Sequence, residues 1–229
     1  MVDRSLLVNI AGGHATGIYD ISTQIEKRLL DAFPKAKIQI INLDESLTLT
    51  SGPKYYSYKD YDFDTLYNQI SKLKTVVDTR TPIQSNDHKI RVITILCGCY
   101  ALYDKRIKKL SDLKVFLDCD ADKRLINLIK KRECTETKEL SSLLTEYMDH
   151  LRVEMDKYIQ PTRAFADIII PRKNETLGKE IVVNGIFQLV NGKDATGHKL
   201  LSTAHKDQPL WDFQGERMDV EKSRYYDLS

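Results

Sequence analysis

The stretch 9–22, "NIAGGHATGIYDIS", sets a glycine-rich run between an apolar segment and the start of a helical pattern. Upstream, "SLLVNI" (5–10) has the length and composition of a strand. Downstream, Ile21, Ile25, Leu29 and Phe33 recur near helical spacing before Pro34. A strand, a small-residue turn and a helix in that order form the frame of a phosphate-binding loop. There, successive backbone N–H groups at a helix N-terminus cradle an anion. Gly12 and Gly17 stand at the spacing of G-x-x-x-x-G-K-[ST], and Gly13, His14, Ala15 and Thr16 fill the interval. The two residues that add charge and metal chemistry are replaced: Ile18 stands at the lysine position and Tyr19 at the hydroxyl position. A lysine-less glycine-rich turn also serves simple packing, and a loop histidine such as His14 is expected to face solvent. The loop alone therefore leaves both readings open.

Working outward, four more apolar runs of strand length follow: "KIQIIN" (37–42), "RVITIL" (91–96), "KVFLDC" (114–119) and "ADIIIP" (166–171). Runs apolar on both faces suit a parallel sheet covered on both sides. Helical patterns lie between them, at 19–33, 64–77, about 121–133, about 138–159 and 178–190, the last interrupted by Gly185. Alternation of strand and helix predicts an α/β fold. Residues 45–62 and 78–90 read as loops, and the polar stretch 191–229 reads as a C-terminal extension that includes Trp211 and Phe213.

Composition narrows the class of function. The 229 residues carry 35 basic and 33 acidic side chains, a net +2 that supplies no argument for nucleic acid or an anionic membrane. No apolar run approaches the roughly 18 residues of a membrane span, and the N-terminal stretch does not read as a signal peptide. Cys97 and Cys99 form C-x-C, but no second cluster completes a zinc site, so no metal is expected. Four thiols without a disulfide framework fit a reducing cytoplasmic or nuclear setting.

Two distant segments, "LKVFLDCDADKRL" (113–125) and "LLTEYMDHLRVEMDKYIQPTRAFADIIIPR" (143–172), resemble the uridine kinase family. The resemblance runs from Leu6 to about Leu189. It implies a P-loop nucleoside-kinase fold over residues 1–190, a helical lid at about 121–160, ATP with Mg²⁺ as donor system, and uridine or cytidine as acceptor. Carried over by residue, it places nucleotide contacts at Gly12, Gly13, His14, Ala15, Thr16 and Gly17. It makes Asp44 in "INLDESL" the candidate base for the acceptor hydroxyl, although Asp44 also reads as a turn residue after a strand. Lys131 and Lys138 keep lid charges, while Asn127, Leu128 and Glu136 lose them. Cys97 replaces an acidic residue near the metal, and His88 is not expected to replace the family's base-recognising histidine.

Phosphoryl transfer rests on positioning and charge stabilisation. Loss of one preorganised electrostatic donor costs on the order of 10²–10³ in rate. The expectation is a uridine-kinase-like chain with weak or lost phosphotransfer, binding a pyrimidine nucleoside or nucleotide, or pairing as a homo- or hetero-oligomer with a kinase. One alternative is an active kinase with displaced groups, with Lys123 or Lys131 near the phosphates. The other is an interaction protein that binds no nucleotide.

Overall fold

The sheet is built around β1 (Arg4–Gly12). Leu6, Leu7, Val8 and Ile10 are all buried there, in adjacent and alternating positions alike. A strand apolar on both faces belongs in the middle of a sheet, and β1 pairs in parallel with β3 (Ile90–Cys97) on one side and β4 (Leu113–Asp118) on the other. β2 (Lys37–Asn42) extends the sheet beyond β3, and β5 (Ile168–Pro171) beyond β4. The order is β2-β3-β1-β4-β5, parallel throughout. The chain leaves β1 for one side of the sheet and later returns past it to the other. The end of β1 is thus the point where strand order reverses, and such a point opens a crevice at the carboxyl ends of the strands.

The computed structural model describes residues 4–34, 36–46, 57–75, 90–134, 136–171 and 175–191, all within one compact unit, Met1–Asp194. His88, Trp211, Phe213 and the expected extension from 192 onward lie outside the described residues.

Helix α1 (Ile18–Ala32) buries Ile18, Ile21, Ile25 and Leu29 as one stripe and ends where Phe33 N–H bonds back to the Leu29 carbonyl. It packs beside α7 (Glu175–Asn191), joined by the Phe33–Phe187 ring contact and the Arg28–Glu180 ion pair. Gly178 is required in α7 because a Cβ there would come within 2.4 Å of Ile170 Cγ2. Helix α2 (Phe63–Thr75) packs against β1 and against α3 (Lys105–Leu110). Between β4 and β5, α4 (Ala121–Arg132) and α5 (Thr137–Glu146) open the helical segment that the resemblance makes a lid, and that is called the lid below. α5 runs on through a π-helical stretch Tyr147–Leu151, one α turn (α6, Arg152–Glu154), a second π-helical stretch Met155–Ile159 and a 3-10 stretch Gln160–Phe165.

The five strands and the α/β class agree with the sequence reading. Three details differ. The expected regular helix 138–159 is α-helical as far as Glu146 and again over Arg152–Glu154, with π-helical stretches before and after that turn. The expected loop 45–62 contains a 3-10 turn at Tyr58–Asp60. Helix α3 was not expected: it has six residues and buries only Ile107, so its periodicity is too short to register. Its start was nevertheless marked by Asp104, whose carboxylate accepts the backbone N–H groups of Arg106 and Ile107. No helix among the described residues is long and apolar enough to cross a membrane.

Candidate functional site

The loop Gly12–Gly17 leaves the end of β1 at the strand-order reversal and enters α1. Ala15 (φ 57°) and Gly17 (φ 78°) both have positive φ, with one residue, Thr16, between them. Left-handed residues in a turn are one ingredient of a backbone anion nest. Gly12 allows β1 to run against β4, since a Cβ there would lie 2.9 Å from the Leu117 carbonyl oxygen. Thr16 is buried and turned inward, its hydroxyl donating to the Gly13 carbonyl at 2.8 Å.

The two altered positions part at the first turn of α1. Ile18 is 8% exposed and extends the buried stripe of the helix, whereas Tyr19 is 48% exposed. The residue that would carry a cation toward a phosphate is part of the hydrophobic core instead.

What meets the loop comes from the lid. Arg124, in the "DADKRL" stretch at the start of α4, is 7% exposed and lies directly over Gly13. A Cβ on Gly13 would come within 2.5 Å of an Arg124 terminal nitrogen and 2.8 Å of its Cδ. Arg124 Nε has no hydrogen-bond partner among the described residues. One turn on, the Asn127 side-chain amide donates to the Ala15 carbonyl at 2.9 Å. Ala15 also packs into a small lid core made by Leu128, Leu143, Tyr147 and Leu151. The lid is thus fastened to the loop by a polar contact and an apolar one.

His14, expected at the surface, is turned inward with Nδ1 3.3 Å from Cys99 Sγ. Burial, and then the neighbouring Arg124 guanidinium, lower its pKa to about 4, with Glu146 opposing. The ring is therefore neutral at physiological pH. Cys99 lies behind it, its thiol pushed up by burial and then by Asp44, against the opposing charges of Arg124 and Lys131. Neither group is poised as a nucleophile or a proton carrier near pH 7.

Asp44 sits just past β2 in a 3-10 stretch Leu43–Ser46, its backbone N–H held by Asn42 Oδ1 at 3.1 Å. Its own carboxylate accepts the phenol of Tyr61 at 3.2 Å. Cys99, beside His14 just past the end of β3, feels the charges of Asp44, Arg124 and Lys131. Lys138 does not join them: it lines a separate groove with Arg132, Cys134 and Glu139 at the α4–α5 turn. Lys123, considered as a displaced cation, is paired with Asp120 at 2.6 Å.

The residues present do not fit a bound Mg²⁺. Tyr19 supplies no short hydroxyl, the Thr16 hydroxyl is spent on Gly13, and Cys97 is a fully buried thiol at the acidic position. Asp118 faces Arg163 at 3.2 Å.

A parallel α/β sheet with a glycine-rich strand–helix turn at its switch point, covered by a helical lid, defines the class of P-loop kinase folds. The particular family follows from comparison. The model of the "Phosphoribulokinase / Uridine kinase family" matches residues 21–178, more than half of the chain and starting just beyond the altered loop. The chain is 45% identical over 230 residues to "Putative uridine kinase DAS2" of Saccharomyces cerevisiae, covering 99% of this chain and 97% of that protein. It is 28% identical over 208 residues to "Uridine kinase" of Lactococcus lactis, covering 82% of this chain and 98% of that one. A crystal structure described as a "putative fructose transport system kinase" from Silicibacter shares the fold, with a TM-score of 0.53, 14% identity, and 73% of this chain and 90% of that one covered. The chain belongs to the phosphoribulokinase/uridine kinase family.

Arg124, Asn127 and Tyr61 are the residues of this region whose placement the sequence reading missed. Arg124 lies inside the quoted "LKVFLDCDADKRL" and Tyr61 inside the expected loop 45–62, but their partners, Gly13 and Asp44, are distant in the chain.

Proposed function

We propose that this chain is a uridine-kinase-fold protein whose phosphotransfer from ATP to uridine or cytidine is weak or lost, and which acts by binding. The observation that carries this reading is the burial of Ile18. The helix that should deliver a cation to the β- and γ-phosphates delivers an apolar side chain to the core. The metal side is deficient in the same way, and parts that act as a unit fail as a unit. What is left is a concave backbone loop, an acceptor-side carboxylate and a lid. These suit a pyrimidine nucleoside or nucleotide held without turnover, and equally a partner subunit with working chemistry.

A second reading has one observation in its favour. The Arg124 guanidinium lies over Gly13 with its Nε unpartnered, so a cation does stand at the loop, although it comes from the lid. In that reading Arg124 replaces the missing lysine, Asp44 stays the base, and transfer survives.

Turnover separates the two. Purified protein is supplied with Mg·ATP and uridine, beside Asp44→Ala and Arg124→Ala samples prepared identically. The binding reading expects no difference among the three. Transfer on the order of 1–100 s⁻¹, usual for kinases, and lost in both variants, would establish the second reading instead.

A further inference from the structure

The acceptor side of the crevice is occupied by the chain itself. Tyr61 follows the 3-10 turn Tyr58–Asp60, is 7% exposed, and points its phenol at Asp44 Oδ1. Its ring lies 5.2 Å from Tyr100 and 6.0 Å from Phe63, centroid to centroid. Tyr103 lies 5.9 Å from Tyr100 and 5.7 Å from Phe63, so four rings are packed contiguously at the ends of the strands. The layer is tied to the lid segment through Glu154, which accepts the Tyr100 phenol at 2.8 Å and the Ser57 hydroxyl at 3.1 Å. Behind Asp44 the backbone is equally close, because a Cβ on Gly98 would meet Leu43 Cβ at 2.6 Å.

A phenol on a carboxylate with its ring stacked among aromatics reproduces the chemistry of a nucleoside acceptor. Such an acceptor also offers one O–H to the carboxylate and one flat ring to aromatic neighbours. We infer that Tyr61 is an internal stand-in for the acceptor, its hydroxyl taking the place on Asp44 that a nucleoside hydroxyl would take. This rests on the reading of Asp44 as the acceptor-side carboxylate. Tyr61 then decides what the acceptor side admits. A pyrimidine nucleoside enters only where the Tyr61 ring withdraws, and its binding has to compete with a contact already made and already desolvated. A buried hydrogen bond to a charged group is among the stronger ones to displace. Burial and the adjacent Asp44 also hold the phenol protonated, so the donor stays in place at any pH the fold survives.

The test is direct uridine binding to the full chain, without ATP, by calorimetry, for wild type, Tyr61→Phe, Tyr61→Ala and Tyr61→Ala/Asp44→Asn. Removing the phenol alone releases one carboxylate oxygen, and removing the ring also opens its space. The expected order of affinity is wild type below Tyr61→Phe below Tyr61→Ala. Wild type should not saturate at millimolar uridine, and the alanine variant should bind at least roughly tenfold tighter, the worth of one such hydrogen bond. Asp44→Asn should remove most of that gain. If Tyr61→Ala does not fold, Tyr61→Phe decides the question by itself. No gain in any folded variant overturns the stand-in and leaves Asp44 untouched. A gain that persists in the Asp44→Asn background overturns both the stand-in and the acceptor-side reading of Asp44. The Arg124→Ala arm of the turnover comparison tests the loop separately.

Discussion

The Asn127 side-chain amide donates to the Ala15 carbonyl at 2.9 Å, so a residue on the lid holds the backbone of the phosphate loop. The position is read from sequence as a lost lid charge, and in the fold it is a tether. Ala15 is also one of the two loop residues with left-handed backbone, so the tether falls on a conformation that L side chains rarely adopt. Replacing Asn127 with Ala leaves that carbonyl without its amide, at a cost of about 1 kcal/mol. Thermal unfolding should show Tm lowered by about 2–4 °C for a chain of this size. Asn127→Asp, which sets a carboxylate against the carbonyl, should lower it further. An unchanged Tm in both variants would mean that the lid does not hold the loop.

Gly13 and Arg124 form the second contact between loop and lid. Adding a methyl group at 13 places it 2.5 Å from the guanidinium, a distance no real Cβ keeps. Gly13→Ala should destabilise by roughly 1–3 kcal/mol. The loss should shrink when Arg124 is truncated in the same chain, with a coupling of about 0.5–3 kcal/mol as expected for residues in contact. Urea unfolding of the two single variants and the double variant measures this, and strict additivity would contradict the contact.

His14 gives the fold a pH dependence of known sign. Its native pKa is about 4 against 6.5 for an unperturbed ring, because burial and Arg124 oppose the charge. Between those values the unfolded chain takes up a proton that the native chain refuses. The stabilisation is therefore complete above pH 6.5 and is lost as pH falls toward 4, by at most roughly 3 kcal/mol at 1.36 kcal/mol per unit. Denaturation followed from about pH 7 to 5.5, above most carboxylate titration, should show this slope in wild type and a flatter one in His14→Gln. Equal slopes would place the ring in water.

The parts of the fold legible in the sequence are those set by local pattern. β1 and β3 show as largely apolar runs, each with one buried polar residue (Asn9, Thr94), because both of their faces are covered, and α1 shows through one clean stripe from Ile18 to Leu29. α3 escapes notice because six residues with one buried side chain carry no period. The glycines of the loop and the two substitutions are visible because a phosphate loop is a contiguous motif. The inward turn of His14 is not, since the residue it meets, Cys99, lies 85 positions away. The same holds for Asn127 on Ala15, 112 positions apart, and for Tyr61 on Asp44. Residue types at the site can be read in order along the chain, but the contacts that fill the site are made by folding.

On the proposed function, the loop keeps an anion cradle and lacks the charge to use it. Titration of Mg·ATP into wild type and into an Ile18→Lys/Tyr19→Ser variant tests this most directly. A lysine at 18 can leave its stem in the core and carry its ammonium toward the loop, and a serine at 19 restores a short hydroxyl. Binding should appear, or tighten by at least about tenfold, in the variant alone, corresponding to about 1.4 kcal/mol. Wild type that binds Mg·ATP as tightly as the variant would contradict the account, because the cradle would then hold phosphate without the charges it has lost.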